Sequence, residues 1–375
     1  LAAASAAHVL LATTYTWQAG TDLNWTDAAN WNPSSGYPAD SGDEAVLPQL
    51  ANAVYTINVQ PATAVTMAVL RVTSNAGQRY RIYNPVSSAV RSDIFLDNPS
   101  GNAQLLLHTS AGSGALVFDG NAAARHRLYL LDDLDIVVSN GTSEADIEVL
   151  RTLIYGSGRT INKYGAGNLR FYTNTDGVGL TNCTFNVFEG QLTLARDNLF
   201  PLCTVIMHEG TLLFAQFLST GHRGNLKLHN NTTLRAQANG AGESRFSNVT
   251  VHGSCTFDIQ TGSEWLTVYG TLAGTGTVSK IGAQTLYLLG SIAPGFSAGE
   301  LTLNEAEGAI VPGTSTDALI LEMGLEAGGA CDLLTFANMD APIDLANIDL
   351  HLALNGTTSF GVTNWFLVSN ALLNN

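Results

Sequence analysis

The chain has 375 residues, of which only 13% are charged, and a formal net charge of −15 with three lysines, Lys163, Lys227 and Lys280. Phosphate-backbone binding needs clustered basic side chains, so nucleic acid is excluded as an expected partner. No apolar run approaches the roughly 18 to 20 residues that a membrane-crossing helix needs, and the four cysteines, with no Cys-x-x-Cys pair, exclude both a disulfide scaffold and a zinc or redox motif.

Gly, Asn, Thr and Ser are abundant beside Leu, Val and Ala, which suits many short strands joined by turns. In chain order, the opening LAAASAAHVLLA resembles the end of a signal peptide with Ala-x-Ala cleavage character and points to export. Residues 1–14 read as an apolar arm in which His8, Val9, Leu10 and Leu11 form a strand-exchange segment. Residues 15–48, with Trp17, Trp25 and Trp31, read as a Trp-rich N-terminal cap covering the first rung; the competing expectation is three exposed faces for stacking glycans. Residues 49–375 read as a parallel β-helix. Within LLDDLDIVV, beside Asp132, strand alternation puts Asp133 and Asp135 on one outward face, a spacing suited to calcium or to an acid/base pair, against the default of a solvated acidic face. Asp176 in the tripeptide NTD and His222-Arg223-Gly224 do not complete a polysaccharide-cleaving constellation.

The strongest signal follows. CTFNVFEGQLTLA from Cys183 and CTVIMHEGTLLFA from Cys203 superpose without a gap at a period of 20 residues. Looser copies are expected with strand starts at Leu226, Val249 and Leu266, so that the spacings from Phe185 are 20, 21, 23 and 17. In each copy Phe185 and Val187 alternate with Asn186 and Phe188, a Glu-Gly pair breaks the strand, and Leu192 and Leu194 resume the alternation. A unit this small cannot bury its apolar face alone, so the copies must stack in parallel around a continuous core. The fold class expected is all-β, a right-handed parallel β-helix, or β-solenoid. Stacking puts His208, His229 and His252 in one column with Phe188 before and Tyr269 after, a weak metal candidate against plain ring stacking. It also sets Cys183 beside Cys203, as a disulfide or as two reduced core thiols. Gly295-Phe296-Ser297-Ala298-Gly299 matches a nucleophile-elbow pattern, but ELTLNE after it reads as a strand where that motif needs a helix.

The stretch from Ile161 to Phe200, with Lys163, Gly165, Gly167, Leu169 and Gly190-Gln191-Leu192 in order, resembles the autotransporter-associated β-strand repeat. GTLAGTGTV and GSIAPGFSAGELTL resemble later turns of such proteins, GGACDLLTF with Asp332 resembles their final segment, and the Trp-rich opening resembles their entry segment. The resemblance covers about half the chain and implies a secreted or cell-surface bacterial protein. No outer-membrane barrel follows the repeats in this sequence, so a released passenger or another export route is expected. The expected role is structural and non-catalytic, without a cofactor. Copies are expected to associate head-to-tail into a filament or surface layer through the arm and the tail residues Trp365, Phe366, Leu367 and Leu372. A monomeric adhesin that binds cell-surface glycans is the alternative, and a polysaccharide lyase or hydrolase the third.

Overall fold

The alternation that marks the repeat becomes stacked parallel strands. The computed structural model describes residues 12–18, 22–51, 54–74, 78–86, 90–109, 115–120, 125–139, 147–150, 152–172, 180–195, 202–215, 224–236, 241–260, 263–294, 299–313, 319–326, 332–338 and 348–355. The chain divides into two units, Leu1–Asn225 and Leu226–Asn375. Among the described residues the one helical element is a short 3-10 turn, Ala28–Asn30, and no helix is long and apolar enough to cross a membrane.

In the first unit three strands recur in order, and each pairs in parallel with its counterpart one circuit later. The first ladder stacks Glu44–Pro48, Val69–Ser74, Ala103–Thr109, Leu134–Val138, Thr160–Tyr164, Thr184–Val187 and Thr204–Met207. The second stacks Val54–Asn58, Arg79–Asn84, Ala115–Gly120, Ile147–Leu150, Asn168–Tyr172, Gln191–Leu194 and Leu212–Ala215. The third runs Ala64–Met67, Ser92–Leu96, His126–Leu130 and Thr152–Tyr155. Leu105 and Ile161 from the first ladder, Val149 and Phe171 from the second and Leu128 from the third line one apolar space, so the three ladders share a core. Period-two alternation sends every second side chain there, and each buried Leu or Phe contributes about 1.5–3 kcal/mol. The expected column is present: Phe185 lies between Ile161 and Val205, all three buried.

The parallel ladder already runs through Thr14–Trp17 paired with Glu44–Pro48, ahead of residue 49, where the sequence pattern places its start. Residues of the Trp-rich segment also supply backbone partners to the first rung. Trp31–Asn32 pairs antiparallel with Thr14–Trp17 on its other side, while the Trp25 N–H donates to Asn58 O and the Asn58 N–H to Leu23 O. These bonds occupy backbone groups that would otherwise form an open strand edge.

The second unit uses the same scheme with longer strands. Val249–Ile259 pairs with residues 226–228 and with Thr232–Ala236, then with Thr271–Ile281. Thr271–Ile281 in turn pairs with Ser291–Ala293 and Glu300–Glu305. A separate ladder runs Ala241–Phe246, Ser263–Val268, Leu286–Leu288 and Ile310–Pro312. One expected repeat copy is thereby corrected. The partner of Val249 is Leu272, whereas Leu266 lies in the other ladder between Ser244 and Leu286. The spacing at that step is that of Val249 to Leu272, and the two segments were confusable because His252-Gly253 and Tyr269-Gly270 both follow alternating apolar residues.

Candidate functional site

Of the three tryptophans read as a cap or, in the competing expectation, as stacking faces, none offers an exposed face. Trp17, Trp25 and Trp31 are 1%, 1% and 0% exposed. Trp31 meets Trp17 and Trp25 edge-on at 5.0 and 4.9 Å between ring centroids. Its Nε1 donates to Trp25 O at 2.7 Å, and Trp25 Nε1 donates to Pro38 O at 3.1 Å. Indoles are driven inward by their apolar area and held there by satisfying their one donor. The glycan-stacking expectation for these three residues is therefore overturned by their burial.

The carboxylates do lie outward, as alternation requires, but they contact the backbone and neighbouring rungs. Asp133 Oδ1 accepts the Thr160 N–H at 2.8 Å. Asp135 Oδ1 accepts from Asn102 Nδ2 at 3.1 Å and from Asn162 Nδ2 at 2.9 Å, and Asn162 Oδ1 accepts from Asn186 Nδ2 at 2.9 Å. This is a carboxylate and amide ladder climbing one rung per step. Asp132 Oδ2 accepts the Asn98 N–H. Charged pairs follow the same rule, with Arg71 on Glu44, Arg81 on Asp119, Arg127 on Asp93 and Arg235 on Asp258.

Rings also stack rung upon rung. Tyr164, Phe188 and His208 lie 5.0 and 4.3 Å apart with interplanar angles of 4° and 15°. Phe95, Tyr129 and Tyr155 lie 4.8 and 5.0 Å apart. His229 stacks on His252 at 5.3 Å, and burial lowers the His252 pKa, with His229 and Lys227 adding to the effect. The residue in register after His252 is Thr275, so Tyr269 is not part of this column. No group of three or more metal-ligating side chains occurs among the described residues. Cys183 and Cys203 adjoin across the ladder as free, buried thiols, where a disulfide was one expectation. Cys183 Sγ donates to Gly156 O and Cys203 Sγ to Leu180 O, and burial pushes the Cys203 thiol up to about 12. The arm with His8, Val9, Leu10 and Leu11, the tail with Trp365, Phe366, Leu367 and Leu372, and Asp176, His222 and Ser297 lie outside the described residues. Gly299, at the end of the elbow-like motif, donates its N–H to the buried Asp332, and strands flank the motif on both sides.

Two lysines have a role that the sequence pattern did not reveal. Lys163 is 1% exposed and takes a place in the inward column between Ile136 and Val187. Its Nζ donates to Gly165 O and Glu189 O, while Glu189 Oε2 accepts the Gly165 N–H. Lys280, 0% exposed, repeats the arrangement: Nζ donates to Gly282 O and Glu307 O, and Glu307 Oε2 accepts the Gly282 N–H. Burial lowers the Lys280 pKa against the opposing pull of Glu305, Glu307 and Asp258. The signal for this second copy was the shared Lys-x-Gly-Ala spacing at Lys163 and Lys280, with Glu-Gly about one circuit later in each. Gly165 is obligatory there, since it sits at φ +79° and a Cβ would lie 2.2 Å from Val138 O.

An exposed indole departs from the stacking pattern of the outward columns. On the outward side of the ladder holding Ser263–Val268, Trp265 is 40% exposed. It meets Tyr287 nearly perpendicular, at 6.3 Å and 79°, so this neighbour does not lie flat on the indole. Glu243 stands in register beside it, paired to Arg245 at 2.6 Å and accepting the Tyr269 hydroxyl at 3.2 Å. The Arg245 guanidinium also lies 5.1 Å from the centre of the Tyr269 ring. Thr267, between Arg245 and Tyr287 in register, is 1% exposed and its Oγ1 has no hydrogen-bond partner.

Comparison with known proteins yields no match. No family model matches the chain, and neither a curated protein nor a solved structure does. The geometry of the ladders and of the Trp265 patch therefore carries the functional argument.

Proposed function

We propose that the chain is a right-handed parallel β-helix of the autotransporter-passenger kind, exported to the bacterial surface, where it acts as a non-catalytic, monomeric binding scaffold. The observation that carries this reading is the use of its outward polar groups. Asp133 and Asp135 contact backbone and amide neighbours, and Glu148 lies between Arg79 at 2.9 Å and Arg170 at 3.6 Å. A general acid or base needs a proton it can give to or take from a substrate. These groups instead hold one rung to the next. The duplicated lysine corners at Lys163 and Lys280 support the repeat resemblance on which export rests. A monomer is favoured over a filament because Trp31–Asn32 occupies the outer side of the first-rung strand, where head-to-tail strand addition would act.

The reading is tested by incubating the purified chain with a panel of plant, algal and bacterial polysaccharides while following sedimentation. Binding by a monomer without release of reducing ends or unsaturated sugars is expected. Release of either product, or sedimentation as a growing polymer, overturns it.

A further inference from the structure

We propose that the Trp265 patch binds a neutral polysaccharide, with the indole face as the platform for a sugar ring; this rests on the binding-scaffold reading. The stacked aromatic columns cannot serve in this way. Rings stacked at rung spacing, such as Phe188 on His208 at 4.3 Å and 15°, cover one another's faces and leave mainly edges outward. Trp265 instead has its neighbour Tyr287 at 79° and keeps 40% of its surface in solvent. The face of an indole is the negative side of its quadrupole. The axial C–H groups of a pyranose form a weakly positive, apolar face that fits it.

Stacking alone would not orient a sugar, and here the patch adds polar groups whose geometry is already set. Glu243 is held by Arg245 and by the Tyr269 hydroxyl, so a carboxylate acceptor and a guanidinium donor stand together beside the indole. Adjacent hydroxyls on a pyranose offer the matching donor and acceptor. Charge selects the class of glycan. The chain carries −15 overall and the Arg245 guanidinium in the patch is paired with Glu243. A polyanion such as an acidic polysaccharide is repelled at long range, whereas a neutral one is not.

The test uses the full chain in native gels cast with hydroxyethylcellulose, mixed-linkage β-glucan or galactomannan, with alginate as the acidic comparison. Retardation by at least one neutral polymer and none by alginate is expected, with apparent affinity reduced about tenfold or more in Trp265→Ala. A second measurement needs no variant: brief N-bromosuccinimide treatment, mapped by mass spectrometry, should oxidise Trp265 in the free chain and spare it in the presence of the retarding polymer. Absence of retardation by all three neutral polymers, equal retardation of Trp265→Ala, or oxidation of Trp265 regardless of polymer overturns the proposal. If the chain binds a polysaccharide equally well without Trp265, the site is wrong while the scaffold reading stands. Cleavage of the polymer removes the scaffold reading itself.

Discussion

His126 makes the third ladder of the first unit sensitive to acid. The imidazole is 0% exposed, with Nδ1 2.7 Å from Ser92 Oγ. Burial pushes its pKa from 6.5 down to about 4, against the opposing effects of the Ile82 and Asp119 backbone and the Asp119 charge. The sign follows from which state takes the proton. Above pH 6.5 both folded and unfolded chains hold a neutral ring and nothing is lost. Between 6.5 and about 4 the unfolded chain binds a proton that the folded chain refuses, so stability falls as pH falls, and below 4 the loss levels off. A gap of about 2.5 pH units at about 1.4 kcal/mol each amounts to roughly 3 kcal/mol. The assay pairs an NMR titration of the His126 ring with urea unfolding of the parent chain and of His126→Gln at pH 7 and pH 4. Carboxylates titrate in both proteins and cancel in the comparison. The parent should lose about 3 kcal/mol more than the variant on acidification. Titration of His126 near its ordinary value, or parallel pH dependence in the two proteins, would refute the reasoning.

Other outcomes follow from the same geometry. Lys163→Met and Lys280→Met each remove the ammonium donor from two corner carbonyls, and each should cost about 2–3 kcal/mol in urea unfolding of its own unit, after relief of the buried charge; unchanged midpoints would contradict the corner role. Phe185→Ala empties a fully buried place that meets Phe171 edge-on at 5.8 Å, and should cost about 3–5 kcal/mol. Cys203, at 0% exposure and with its thiol pushed up to about 12, should resist iodoacetamide at pH 8 and react in urea. Peptide mapping that finds Cys203 fully alkylated in the native chain would refute that burial.

Much of the local order was readable because a strand imposes a period of two on its own residues. In the copies that begin at Cys183 and Cys203 the alternation, the Glu-Gly breaks and the direction of Phe185 and Val187 follow from that period, as do Asp133 and Asp135 at the strand Leu134–Val138. It could not say which ladder a strand joins, since Ser263–Val268 and Thr271–Ile281 alternate alike, and the copy expected at Leu266 belonged at Leu272. That choice rests on backbone pairing across the space between rungs.

The same division runs through the functional residues. Sequence by itself determined that the chain builds parallel strands, that His208, His229 and His252, and Cys183 and Cys203, recur at repeat positions and that the basic residues are too few and scattered for a polyanion. Only the tertiary structure decided that Trp17, Trp25 and Trp31 are buried, that Trp265 is not, and that two of three lysines lie in the core. Hydrophobic transfer favours burying every indole. Whether a given indole, such as Trp265, remains in solvent depends on the neighbours that the fold brings over it, and these come from other rungs.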